Sequence, residues 1–221
     1  MRLLSDSIGR KVVMAITGLL MVLFVVGHLL GNMSIFAGAN GINTYAEKLH
    51  AMAPVVWITR VVMGVAVLLH LFISLQITAE NQAANPTKYA QDRSLRANLF
   101  SKSMIYTGLI IGAFIAYHLL HFTVRAGFTG AVVGMEGGRF DVYTMVTTAF
   151  SNALVALIYV VAVASLFMHL SHGIQSTFQS LGLANHKTQP QYMAGGKAMA
   201  AVFLLGYGAI PVLILIGLVG K

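Results

Sequence analysis

The 221-residue chain contains no cysteine. That absence excludes disulfides, thiolate zinc sites, Cys-ligated iron–sulfur clusters and covalent c-type haem attachment. Metal or redox chemistry here has to use histidine, of which there are eight. Charge is scarce as well: Asp, Glu, Lys and Arg make up only 9% of the residues, too few to cover a soluble domain. Acidic residues are the rarest, 6 against 14 basic, for a formal charge of +8. In a soluble protein that excess would suggest a nucleic-acid surface. Here the basic residues lie between apolar runs, where they orient those runs in a bilayer, and no nucleic-acid partner is expected. Pro-rich and Ser-rich linkers are missing, so residues 1–221 are expected to form one domain. What the chain has in plenty is hydrocarbon: 57% hydrophobic residues and a mean hydropathy of +0.80.

Spanning about 30 Å of hydrocarbon at about 1.5 Å per residue takes roughly 20 mostly apolar residues. Five such windows predict helices over 12–30, 54–78, 103–124, 146–171 and 198–219, joined by polar connectors over 31–53, 79–102, 125–145 and 172–197. The fold class expected is an all-α, five-helix transmembrane bundle. The first window has the basic start and apolar centre of a secretory signal, but no small-residue cleavage site follows and His28 interrupts the run, so a retained helix is expected. On one side of the membrane the count of basic residues takes in Arg2, Arg10, Lys11, Lys88, Arg93, Arg96, Lys102, Lys187 and Lys197. On the other it takes in Lys48, Arg60, Arg125, Arg139 and Lys221. The larger count sets the N-terminus in the cytoplasm, in a multi-pass protein of the inner (cytoplasmic) membrane.

Ionisable side chains within lipid are costly and mark functional sites. Asp6, Glu47, Glu80, Asp92, Glu136 and Asp141 all fall outside the apolar centres, whereas His28, His70, His118, His121 and His169 fall within or near them. Proton- or cation-driven transport normally uses a carboxylate near the midplane, and this chain offers none. Neutral imidazole is a good ligand for iron, and two of them fill both axial positions of a haem. His28, His70, His118 and His169 each occur late in their own span. Because consecutive spans run in opposite directions, His28 is expected to meet His118 near the outer face, and His70 to meet His169 near the cytoplasmic face. Two haem b sites stacked about 10 to 15 Å apart in depth would make an electron wire between the faces.

Local sequence agrees with pairing. His28 and His118 both open a His-Leu-Leu run, while His70 and His169 are each followed six residues on by Gln, at Gln76 and Gln175. Ala66 and Ser74 flank His70, and Ser165 and Gly173 flank His169, leaving short neighbours on the ligand face. The competing reading is that each histidine merely hydrogen-bonds helix to helix. His121 and His172 lie one turn beyond His118 and His169 and are secondary ligand candidates, with propionate contact or solvation as their other roles. His50 and His186 fall in connectors and are expected to be solvated. Gly108 and Gly112 form a small-xxx-small pair for close helix packing. The fifth span has no histidine and, with Gly206, Gly208 and Pro211, is expected to be a kinked structural helix. Arg60 would snorkel or meet a propionate. Glu47 and Lys48 could serve proton exchange at a quinone headgroup.

These residues resemble the membrane cytochrome b subunit of succinate:quinone oxidoreductases. The type is the single-chain, five-helix, two-haem one of succinate dehydrogenases and quinol:fumarate reductases. The resemblance is carried by Asp6-Ser7-Ile8-Gly9-Arg10-Lys11 through Gly27-His28-Leu29-Leu30-Gly31-Asn32, by Leu69-His70, by Tyr117-His118, and by Phe167-Met168-His169-Leu170-Ser171-His172-Gly173. It implies that His70 and His169 hold the haem proximal to the cytoplasmic partners, and His28 and His118 the distal haem. It further implies a flavoprotein (FAD) subunit and an iron–sulfur subunit on the cytoplasmic side, and a membrane quinone, menaquinone, as electron partner. A dimer of the whole complex is compatible with it. Some members have a glutamate two residues before the helix-four ligand; here that position is Phe167, and no such proton path is expected. Rival readings are the cytochrome b anchor of a hydrogenase or formate dehydrogenase, and a non-redox scaffold or transporter.

Overall fold

The computed structural model describes residues 6–84, 99–126, 134–136 and 138–220. Arg2, Lys88, Asp92, Arg93, Arg96 and Lys221, used in the charge census, lie outside the described residues. Helix α1 (Ser7–Met33) begins where the Asp6 carboxylate accepts the Gly9 N–H, satisfying a donor that the helix start leaves open. A 3-10 turn (Ser34–Ala37) leads into α2 (Gly38–Ala51), and α3 (Ala53–Ala83) follows with Pro54 in its first turn. Short α4 (Leu99–Lys102) precedes α5 (Met104–His118), which widens into a π-helical turn over Leu119–Val124. Arg125 ends that turn in the left-handed conformation, at φ 56°. Strands β1 (Gly134–Glu136) and β2 (Arg139–Asp141) form an antiparallel hairpin with Met135 opposite Phe140. Then come α6 (Val142–Phe150), α7 (Ala153–Ser180) and α8 (Gln189–Leu215).

Five helices are long and apolar enough to cross a bilayer: those containing α1, α3, α5, α7 and α8. The molecule is an all-α, multi-pass membrane bundle. Its outer surface carries exposed Leu23, Trp57, Leu68, Phe72, Leu157 and Leu205, an apolar skin that water would penalise and lipid accepts. α7 is the axle, packed along α8, α5 and α1, while α1 also packs on α3. Small residues let α8 approach α7: a Cβ on Gly196 would lie 3.2 Å from the Ile174 Cβ, and Ala200 is fully buried. Across to α1, the Tyr207 hydroxyl donates to the Val25 carbonyl at 2.8 Å.

We call the end of the bundle where α1 starts the N-side. It is clasped by Arg10, whose guanidinium meets the Glu80 carboxylate through two hydrogen bonds of 2.5 and 2.8 Å, the one salt bridge among the described residues. The opposite end is the cap side. There α2, the hairpin and α6 form a structured lid where the sequence reading expected polar connectors. Asn43, fully buried, accepts from the Tyr143 N–H at 2.9 Å and donates to Asp141 at 3.1 Å. Arg139 donates to Thr44 and Asn40. Ile35, Ile42, Met145, Val146 and Phe150 pack beneath as one apolar cluster with Tyr159.

The span boundaries differ from expectation most in the fourth and fifth spans. The fourth span starts at Ala153 rather than 146, because the Asn152 side chain accepts from the Leu154 and Val155 N–H groups and caps a new helix there. Val146 belongs instead to α6, whose apolar face is buried in the lid. The fifth span ends at Leu215 rather than 219 and begins at Gln189, with Pro190 in its first turn and Pro211 buried inside it.

Candidate cofactor site: two levels of paired histidines

The structure brings His70 of α3 to His169 of α7, with ring centres 6.4 Å apart and planes crossed at 62°. It brings His28 of α1 to His118 of α5, at 5.9 Å and 85°. The first pair lies toward the N-side and the second toward the cap. Two imidazoles holding one metal at about 2.0–2.1 Å each would bring their ring centres to about 6.3 Å, and both separations lie near that value. Among the described residues no group of three or more His, Asp or Glu side chains gathers as a chelating cluster. A pair of facing imidazoles is the donor set that a bis-histidine haem requires.

The N-side pair is seated by a repeated device. His70 Nδ1 lies 3.1 Å from the Met14 carbonyl and 3.3 Å from Thr17 Oγ1. A carbonyl only accepts, so Nδ1 carries the proton and Nε2 keeps its lone pair. Thr17 directs its own hydroxyl proton to the Val13 and Met14 carbonyls, which leaves its oxygen free to accept. His169 repeats the threonine contact: Nδ1 lies 3.2 Å from Thr107 Oγ1, while Thr107 donates to the Ser103 and Met104 carbonyls. Glycine follows each threonine. A Cβ on Gly18 would lie 3.3 Å from His70 Cε1, and one on Gly108 would lie 3.3 Å from His169 Cε1, so each ring rests on bare backbone.

Sequence reasoning missed Thr17 and Thr107, although a signal was there. Met14-Ala-Ile-Thr17-Gly18 and Met104-Ile-Tyr-Thr107-Gly108 share one pattern, and each stands at identical spacing before its own span's histidine, His28 and His118. Gly108, expected to serve close helix packing, is the bed of His169.

The cap-side pair is held otherwise. His28 stacks on Phe24 at 5.4 Å and 12° and lies tilted against Tyr207 at 6.1 Å. His118 Nδ1 lies 3.2 Å from the Tyr159 hydroxyl, which also lies 2.8 Å from Nδ1 of His121. His121 is fully buried, stacked on Phe122 at 4.0 Å, with its Nε2 lacking a partner. The expectation that His121 sits near water is therefore corrected: the lid and the aromatic cluster of Tyr117, Phe122, Phe150 and Tyr159 enclose it.

The remaining candidates stand apart from the pairs. His172 is half-buried one turn beyond His169. His50 and His186 are both exposed, as expected, and His50 also bonds the Ala46 carbonyl and packs on Phe140 at 4.7 Å. Arg60 lies over the Trp57 ring at 5.0 Å on the exposed flank. Glu47 and Lys48 are exposed on α2, and Phe167 meets Phe100 edge-on at 6.2 Å.

The class of protein that this geometry defines is a multi-pass helical bundle with two levels of paired imidazoles. Compared with family models, curated proteins and solved structures, the chain finds no match.

Proposed function

We propose that the chain is the dihaem cytochrome b subunit of a succinate:quinone oxidoreductase, a succinate dehydrogenase or quinol:fumarate reductase. His70 and His169 would hold one haem b, and His28 and His118 the other. Each such haem, when bound, carries a single electron and has no vacant position for oxygen or substrate. The chain's own part is to orient and insulate. The Nδ1 hydrogen bonds of His70 and His169 fix the tautomer that leaves Nε2 to a metal. The apolar bundle keeps water from both levels, and their different depths connect the two faces. On this reading the N-side is cytoplasmic and docks the iron–sulfur and FAD subunits, and the electron partner in the bilayer is menaquinone.

One observation carries the reading: intramembrane imidazoles paired at two levels, with ring separations suited to one metal each. Its test is a pigment count. The purified chain, expressed in haem-sufficient cells, should show a b-type α band in the dithionite-reduced minus oxidised spectrum and two haems per chain. A covalent flavin in the co-purifying subunits supports the succinate assignment. Nickel or molybdenum there would move it to a hydrogenase or formate dehydrogenase, and a colourless, intact preparation would leave a scaffold.

A further inference from the structure

The Tyr159 hydroxyl has one proton and faces two Nδ1 atoms, those of His118 and His121. Only one of the two bonds can use that proton; in the other, an imidazole N–H must donate to the phenol oxygen. The shorter contact, 2.8 Å to His121, suits the O–H donor, and the longer, 3.2 Å from His118, suits the N–H donor. These distances favour one sense for the chain. His118 Nδ1–H donates to Tyr159, Tyr159 donates to His121 Nδ1, and the proton of His121 lies on Nε2. The cost of this sense is a buried His121 Nε2–H without an acceptor. A reversed chain would put the proton of His118 on Nε2 and spoil it as a ligand.

We propose that Tyr159 and His121 are positioning residues for the cap-side ligand: they hold His118 in the tautomer that reserves Nε2 for iron and make it a stronger donor. His121 is thus no substitute ligand but the anchor of the ligand's partner. The inference rests on the haem reading above. It goes beyond that reading by assigning two side chains to the tuning of one site and not the other. A histidine whose Nδ1–H is accepted is the more basic ligand, which favours the oxidised metal. Removing the acceptor therefore raises the potential.

The test is a potentiometric titration of the α bands in wild type, Tyr159→Phe and His121→Leu. Both variants should keep two haems per chain. In Tyr159→Phe one of the two potentials should rise, the reduction equilibrium changing about tenfold, or about 59 mV for one electron. His121→Leu should move the same potential in the same direction by less, and it decides the matter if Tyr159→Phe does not accumulate. Unmoved potentials with both haems bound would overturn the inference and leave the haem reading standing. Loss of a haem from His121→Leu would overturn it too, by making His121 a ligand. A wild type without haem would instead defeat the underlying reading.

Discussion

The two histidine levels have the same donor set but different supports. On the N-side, both rings lie against a glycine and meet a threonine of the preceding span, and His70 also bonds a main-chain carbonyl. On the cap side the two histidines are held in unlike ways. His28 is held by ring contacts with Phe24 and Tyr207, and His118 by a phenol tied to a second imidazole beneath a folded lid. The difference shows that one site is a repeated backbone construction and the other is built from side chains and tertiary structure. Damage to the lid should therefore be felt at one level only.

The strongest break in that comparison is removal of a ligand. His70→Ala or His169→Ala should take the haem count from two to one per chain and weaken docking of the partner subunits. A count that stayed at two in both variants would sink the N-side assignment. Next comes Gly108→Val, which places a branched side chain where a single Cβ would already lie 3.3 Å from His169. Most of the N-side pigment should disappear while the cap-side α band persists. Asn43→Ala acts at the other end. It deprives the Tyr143 N–H of its acceptor inside the lid, at a cost of about 1–3 kcal/mol, readable as a lower unfolding temperature in mild detergent. Thr107→Val should weaken N-side haem retention toward the lower end of the roughly 10- to 100-fold typical of a lost ligand partner, because the ring still rests on Gly108.

The smallest effect concerns pH. Hydrogen bonds from Thr144 hold the Asp141 carboxyl below its ordinary range, with help from Asn43 and Arg139. Its folded-state value is depressed, so its contribution to lid stability is complete above the ordinary carboxylate value. That contribution is lost as pH falls toward the folded one. Asp141→Asn should flatten the fall in unfolding temperature between about pH 6 and about pH 3, and an unchanged slope would remove Asp141 from the account.

Much of this was legible before any coordinates. Lipid demands long apolar runs, and the five spans followed from that demand alone. Alternating direction then matched His28 with His118 and His70 with His169. The lid was not legible because α2 is too polar to resemble a span and gains its helicity from packing Ile42 and Ala46 beneath it. The start of α7 was missed because Asn152, one polar residue in an apolar stretch, caps a new helix. The partners of His70 and His169 were half-hidden: a carbonyl belongs to every residue, so only the threonine and glycine beside it leave a mark in the sequence.

That carbonyl has a consequence for how freely each level can be adjusted. Since position 14 contributes its main chain to His70, its side chain can be exchanged while the imidazole keeps the same acceptor. Evolution or design has no one-codon handle on that contact. Tyr159 is such a handle, so of the two histidine levels one is hard-wired and the other can be retuned by a single substitution.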